Sequence, residues 1–294
     1  MDIIIDIILD AVLDTLKLVP FLFLAYLALE FVEHKAGDGM QRFLRRAGKC
    51  GPLLGAVLGL VPQCGFSTAS AGLYAARLIS SGTVVAVFLA TSDEMLPVML
   101  GGRVSWQVIL AALGIKLVAA IAVGFAVDGV LRLFARKTTD GDGHDHVHDL
   151  CETEHCHCER GIFVSALIHT AHIVLFIFLV ELALGGLIAG IGEERLAAFA
   201  AGHGVLAYLT AALVGMIPNC AASVVLTDLY VEGVISFGTM MAGLLPGAGA
   251  GMLVLLRQRR PLGGVFALLA VLFAVGVLLG AGIDGLASLF ALTV

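Results

Sequence analysis

VPQCGFS, residues 61–67, and IPNCAAS, residues 217–223, each set a proline, an amide and a cysteine inside a long apolar stretch. Proline withholds a backbone donor and its ring clashes with the preceding turn, so Pro62 and Pro218 are helix-breaking positions. The two stretches lie 156 positions apart, and residues 59–103 slide onto 215–259 without a gap. Gly59, Pro62, Cys64, Ser67, Tyr74, Ser80, Gly82, Thr83 and Arg103 each meet an identical residue, and Gln63 meets the shorter amide Asn219. Shared apolar composition explains matching leucines. It does not explain proline, cysteine, serine and tyrosine falling together in one frame.

The surroundings of these stretches set the fold class. The chain has 294 residues, of which 60% are hydrophobic and 14% charged, and a mean hydropathy of +1.03. A water-soluble domain of that balance lacks the polar surface to cover itself. Apolar runs recur at the ~18-residue length that spans a bilayer, and the short alternating segments of a membrane barrel are absent. An all-α polytopic membrane protein follows. The N-terminal MDIIIDIILDAVLD carries acids where a signal peptide is basic, so it reads as part of a first helix.

Apolar segments fall at about 3–33, 52–61, 68–79, 82–100 and 104–134, then at about 162–191, 204–217, 221–231, 234–256 and 262–292. Three units result: a first transmembrane repeat (1–135), a polar linker (136–160) and a second repeat (161–294). Five segments per half is an odd number, so the second half is expected to be inverted, as in many secondary transporters. Charge agrees. With the first helix running inward, the basic loop 34–50, Arg77, Arg132, Arg136, Lys137, Arg257, Arg259 and Arg260 all fall inside. Both termini are then outside and the linker is cytoplasmic. The pieces flanking each proline are too short to span comfortably. Broken backbone in a membrane persists only where it is buried in protein or lines a wet cavity. Each half is therefore expected to hold a re-entrant-like hairpin with its tip near the midplane.

The tips present Gln63, Cys64 and Ser67 opposite Asn219, Cys220 and Ser223. Facing thiolates suit a soft metal or metalloid, and amides and free carbonyls suit a harder ion. Asp93 and Glu94 interrupt the segment 82–100 and join this substrate-binding set, because adjacent acids in a membrane need a cavity or a partner. Their repeat counterparts, Gly249 and Ala250, are small, so one half supplies charge and the other makes room. Candidates for proton coupling are Asp14, His169, His172 and Lys116, with Asp93 or Glu94 as partners for the lysine. Asp228 and Glu181 are weaker candidates. The linker, DGDGHDHVHDLCETEHCHCE at 140–159, gathers His144, His146, His148, His155 and His157 with Cys151, Cys156 and Cys158. Such tracts bind Zn, Cu or Ni, without a spacing that selects among these or Mn.

The paired Pro-x-Cys motifs, the two five-segment halves and the His/Cys linker resemble the ten-transmembrane heavy-metal exporter family. Its members carry manganese-transporter labels and are related by name to the arsenical permeases. The resemblance covers essentially the whole chain and implies an exporter, with Pro62/Cys64 and Pro218/Cys220 as the carried-over elements. Manganese prefers oxygen ligands such as Asp93 and Glu94, whereas the cysteines favour softer cargo. No GxxxxGK[ST] stretch is present, so coupling is expected to come from an ion gradient. The expectation is a secondary-active exporter of a metal ion or metalloid, not an enzyme. It requires no cofactor and no nucleic-acid partner, works within the lipid bilayer, and allows a homo-oligomer. The rival readings are a transporter of an organic or sulfur-containing anion and a non-transporting membrane metal sensor.

Overall fold

The computed structural model describes residues 50–135, 162–191 and 204–289 except 62, 63, 76, 77, 93 and 258–261, with scattered helical positions between 8 and 27. The basic loop 34–49 and the linker 136–160 lie outside the described residues. Among the described residues there is no strand. The first half contains α1 (Gly51–Gly59), α2 (Cys64–Ala75), α3 (Ser81–Ala90), α4 (Met95–Gly101) and α5 (Trp106–Ala135). The second contains α6 (Ile162–Ile191), α7 (Val205–Gly215), α8 (Cys220–Val231), α9 (Phe237–Leu244), α10 (Ala250–Arg257) and α11 (Leu262–Leu289). Helix starts repeat across the halves: Cys64 and Cys220 open helices of 12 residues, and Ser81 and Phe237 follow serines that accept from Thr83 N and Thr239 N.

Two segments expected to be continuous are each broken. The stretch 82–100 divides into α3 and α4 because Thr91 leaves the helix (φ −53°, ψ 128°). Its N–H still donates to Val87 O at 3.0 Å and its Oγ1 adds a second bond to that carbonyl at 2.8 Å, while Ser92 Oγ donates to Ala90 O at 2.9 Å, so hydroxyls reinforce the helix end. The stretch 234–256 divides into α9 and α10 at Pro246, which has no donor, and at Gly249, whose φ of +50° suits glycine. The helix placed at 68–79 begins earlier, at Cys64.

α3 and α9 form the centre. Every residue of α3 from Gly82 to Ala90 is buried, as is all of α9, and these stretches are apolar apart from Thr83 and Thr239, as suits a helix buried on all sides. α3 packs between α1 and α5, and α9 between α7 and α11. Outer helices expose large apolar side chains such as Val118, Leu175 and Leu278, which suits a hydrocarbon surround. Among the described residues, four stretches are long and apolar enough to cross a membrane: Ser81–Gly101, Trp106–Leu133, Ala166–Leu187 and Gly263–Leu289. The chain is a multi-pass membrane protein.

Contacts give the chain direction. α1 runs with α3, since Cβ atoms on Gly55 and Gly59 would stand 3.0 Å from Thr83 O and 2.6 Å from Val87 O. α2 then returns to the start of α3, where Ser81 Oγ donates to Tyr74 Oη at 3.1 Å. α5 runs antiparallel to α3, with Asp128 beside Gly82 and Lys116 beside Thr91. In the second half, Tyr208 near the start of α7 donates to Asp284 Oδ2 at 3.0 Å, and Gly215 at its end meets Gly243. α8 returns to the start of α9, where the Tyr230 and Phe237 rings meet edge-on at 5.6 Å. The halves exchange arms: α2 packs on α10, and α8 packs on α4. A shift of 156 positions turns the first contact into the second.

Candidate functional site

A small cavity lies where these arms meet. Its wall combines the α3–α4 break (Thr91, Ser92, Glu94, Met95), Lys116 of α5, the second proline stretch (Ile217, Asn219, Cys220, Ser223) and the α9–α10 break (Gly247, Gly249). Its depth follows from α5. At ~1.5 Å per residue, Lys116 stands about 18 Å along the helix from Asp128 and about 15 Å from Trp106. The break beside Lys116 therefore lies well inside the length of α5, nearer its Trp106 end.

Local chemistry explains each wall. Leaving the helix at Thr91 exposes a helix C-terminus, whose carbonyls carry partial negative charge. Lys116, 1% exposed, meets that charge by donating from Nζ to the Thr91 carbonyl. At the other wall, Asn219 is the N-cap of α8: its Oδ1 accepts from Ala221 N at 2.8 Å. Its Nδ2 donates to Glu181 Oε2 at 2.9 Å. Cys220 and Ser223 then follow on the first turn and both line the cavity.

The proline stretches are not equivalent in packing. Ser67 is fully buried, because glycine at 251 lets α10 approach until a Cβ there would stand 2.8 Å from Ser67 C. Met95 occupies the place of Gly251 in the other half, and beside it Ser223 faces open space. Gly247 and Gly249 share the cavity wall with Thr91, Ser92 and Glu94.

The structure thus brings together Glu94, Lys116, Asn219, Cys220 and Ser223. It separates Ser67, held in the α2–α10 contact, from that wall. His172 is exposed on α6, its Nδ1 3.0 Å from Ile168 O and its carbonyl accepting from Arg257 at 2.9 Å. Pro218 is in the break between α7 and α8, as expected of a helix-breaking residue. Asp14, Pro62, Gln63, Asp93 and the eight linker ligands lie outside the described residues, as do the side chains of Cys64 and His169. Among the described residues, no cluster of three or more His, Cys, Asp or Glu forms a metal-binding group.

Sequence reasoning missed two carboxylates and undervalued a third. Asp128 takes Gly82 N at 2.8 Å and Ser80 Oγ at 2.6 Å. Asp284, 156 positions later, takes Gly238 N at 2.8 Å and also Ser236 Oγ. Each ties the N-terminus of a central helix to a long outer one. The signal was present, since the same frame continues past Arg103 to pair Gly124 with Gly280 and Asp128 with Asp284. Glu181, rated weak, is the acid holding Asn219.

Fold and cavity together define a multi-pass α-helical membrane protein with a small polar cavity where its two halves pack together. Residues 1–201 and 186–290 match the family described as "Putative, 10TM heavy-metal exporter", and the chain belongs to that family. No curated protein and no solved structure matches it.

Proposed function

We propose that the chain is a secondary-active exporter of a heavy-metal ion or metalloid, and that cargo binds in the cavity at the tip of α8. The observation that carries this is the meeting of Cys220 and Ser223 with the Glu94 break in one cavity. Cys220 opens α8 on the cavity wall, and its sulfur is the ligand type that soft metals take. Glu94 and Ser223 supply oxygen donors, which a manganese cargo would draw on more heavily. Membership of the family supports the heavy-metal class.

Transport on this reading uses two inverted repeats, each with a re-entrant hairpin (α1–α2 and α7–α8). Support comes from where the hairpins return. Tyr74 brings the first back to the Asp128 end of α5, beside Ser81. Val231 brings the second to Gly102, at the Trp106 end. Entry from opposite faces is what inverted halves require, and discontinuous helices meeting at a repeat interface are the usual place for cargo. Alternating access then follows from rocking one half against the other through the exchanged arms. The basic loops place the α1–α2 hairpin on the cytoplasmic side of a prokaryotic inner membrane, with the metal-binding linker there to present cargo. A proton gradient supplies the drive.

The test is uptake of a metal panel into inside-out vesicles, with and without a proton gradient. Wild type should accumulate one metal or metalloid, and Cys220→Ser and Glu94→Gln should each cut the rate at least roughly tenfold, the loss expected for a charged or metal-bound contact. Uptake of no metal at all would remove the reading. One observation favours a second one: Lys116 brings a buried cation to the wall, which suits an organic or sulfur-containing anion. Adding such anions to the same vesicles separates the two.

A further inference from the structure

Glu181 is the polar group that the proposed function leaves unused. It stands on α6, a 30-residue apolar helix, and is 5% exposed. A carboxyl group buried to that degree costs free energy unless it is hydrogen-bonded. It accepts from another element: Asn219 Nδ2 donates to its Oε2 at 2.9 Å. The other end of that amide is already committed, with Oδ1 accepting from Ala221 N at 2.8 Å. Only one orientation of the amide satisfies both neighbours, because the carboxylate accepts and the backbone N–H donates. Asn219 is thus a rigid strut between α6 and the first turn of α8. Cys220 is the next residue and Ser223 is one turn on, both in the cavity wall.

The position corresponding to Glu181 under the 155-position shift of the first helices is Tyr26, which lies near Gly72 of α2: a Cβ there would stand 3.8 Å from its hydroxyl.

We propose that Glu181 is a positioning residue of the cargo site: through the Asn219 amide it holds the tip of α8 in the orientation that presents Cys220 and Ser223 to the cavity. This rests on the cavity being the cargo site, but it makes its own structural prediction. Asn219 on this account is a support and not the cargo-binding amide that its sequence position suggests.

Two conservative variants of the full-length protein separate positioning from charge. Glu181→Gln keeps an acceptor at the same reach and loses the charge. Glu181→Asp keeps the charge and withdraws the acceptor by about one methylene. The first readout is the rate at which a small maleimide alkylates Cys220 in native membranes, followed by mass spectrometry of the Cys220 peptide. The second is KM for the transported metal in inside-out vesicles. Positioning predicts wild-type behaviour for Glu181→Gln, and for Glu181→Asp a change of roughly tenfold in both quantities, the scale of one lost charge-assisted hydrogen bond. Wild-type behaviour of Glu181→Asp with a defective Glu181→Gln would overturn the proposal in favour of a charge role, and wild-type behaviour of both would overturn it outright. If no metal is transported, the exporter reading fails, while the alkylation rates still decide this one.

Discussion

Lys116 concentrates the electrostatic question of this protein in one side chain. An ammonium group at 1% exposure, well inside a membrane-length helix, carries a large desolvation cost. Its bond to the Thr91 carbonyl offsets part of that cost, and the C-terminal end of α3 adds favourable field. Methionine has similar reach and no charge. Lys116→Met should therefore reach the membrane folded, losing at most about 1–3 kcal/mol for the carbonyl left without its donor. In the cavity, the same change removes a positive charge from beside the cargo. For a metal cation KM should fall, and the maximal rate should fall with it as release slows. For an anion KM should rise. Vesicle kinetics on this variant distinguish the two. The residues of this wall were legible in part: Cys220, Ser223, Glu94 and Lys116 stood out as polar groups in apolar segments. The role of Asn219 did not, because a cap and a ligand have the same composition signature and differ only in what lies 38 residues away. Glu181 was undervalued for the same reason, since nothing near it in sequence reveals its partner.

Among the elements, the central half-helices α3 and α9 depend on carboxylates from outside themselves. Asp128 and Asp284 each accept a backbone N–H and a serine hydroxyl at a helix N-terminus, an anion where the helix field favours one. Asp128→Ala and Asp284→Ala should each destabilise by about 2–4 kcal/mol, the range for removing a charge-assisted acceptor and leaving donors unpaired. Gly82→Ala should do at least as much harm, because a Cβ there would stand 2.5 Å from the Asp128 carboxyl carbon. Gly101→Ala, which meets nothing within 4 Å, is the control. Thermal unfolding of the detergent-solubilised protein checks all four, and equal losses from the two aspartates would mark them as equivalents. The long helices were readable from hydropathy alone, and α6 falls where its apolar run placed it. The breaks inside 82–100 and 234–256 were not read as helix ends. Apolar flanks outweigh a few polar or small residues in a hydropathy window, whereas backbone hydrogen bonding responds to Thr91, Pro246 and Gly249 individually. The aspartates escaped notice because a lone acid near the end of an apolar helix looks like an interfacial residue.

For the molecule as a whole, the decisive property is the relative direction of its halves. If the halves ran parallel, the turn after α8 would lie on the face where α2 ends, because the two are equivalent in sequence. In the inverted arrangement it lies instead on the face where α4 ends. Val231 packing against Gly102 supports the second alternative. On the proposed orientation, with the basic loops cytoplasmic, that shared face is outside. Three cysteine substitutions test this together: Gly101→Cys after α4, Gly233→Cys after α8, and Arg132→Cys near the far end of α5. All three positions are exposed, and the two glycines stand in open space. In intact cells a membrane-impermeant maleimide should label positions 101 and 233 and spare 132. In inside-out vesicles the pattern should reverse. Labelling of 101 and 233 from opposite faces would mean parallel repeats. The exchanged arms would then no longer place two hairpin tips at mid-depth from opposite sides, and rocking of one half against the other would lose its structural basis. Shared labelling of both from the cytoplasmic face would keep the inversion and reverse the orientation, turning the route from the linker to the cavity around.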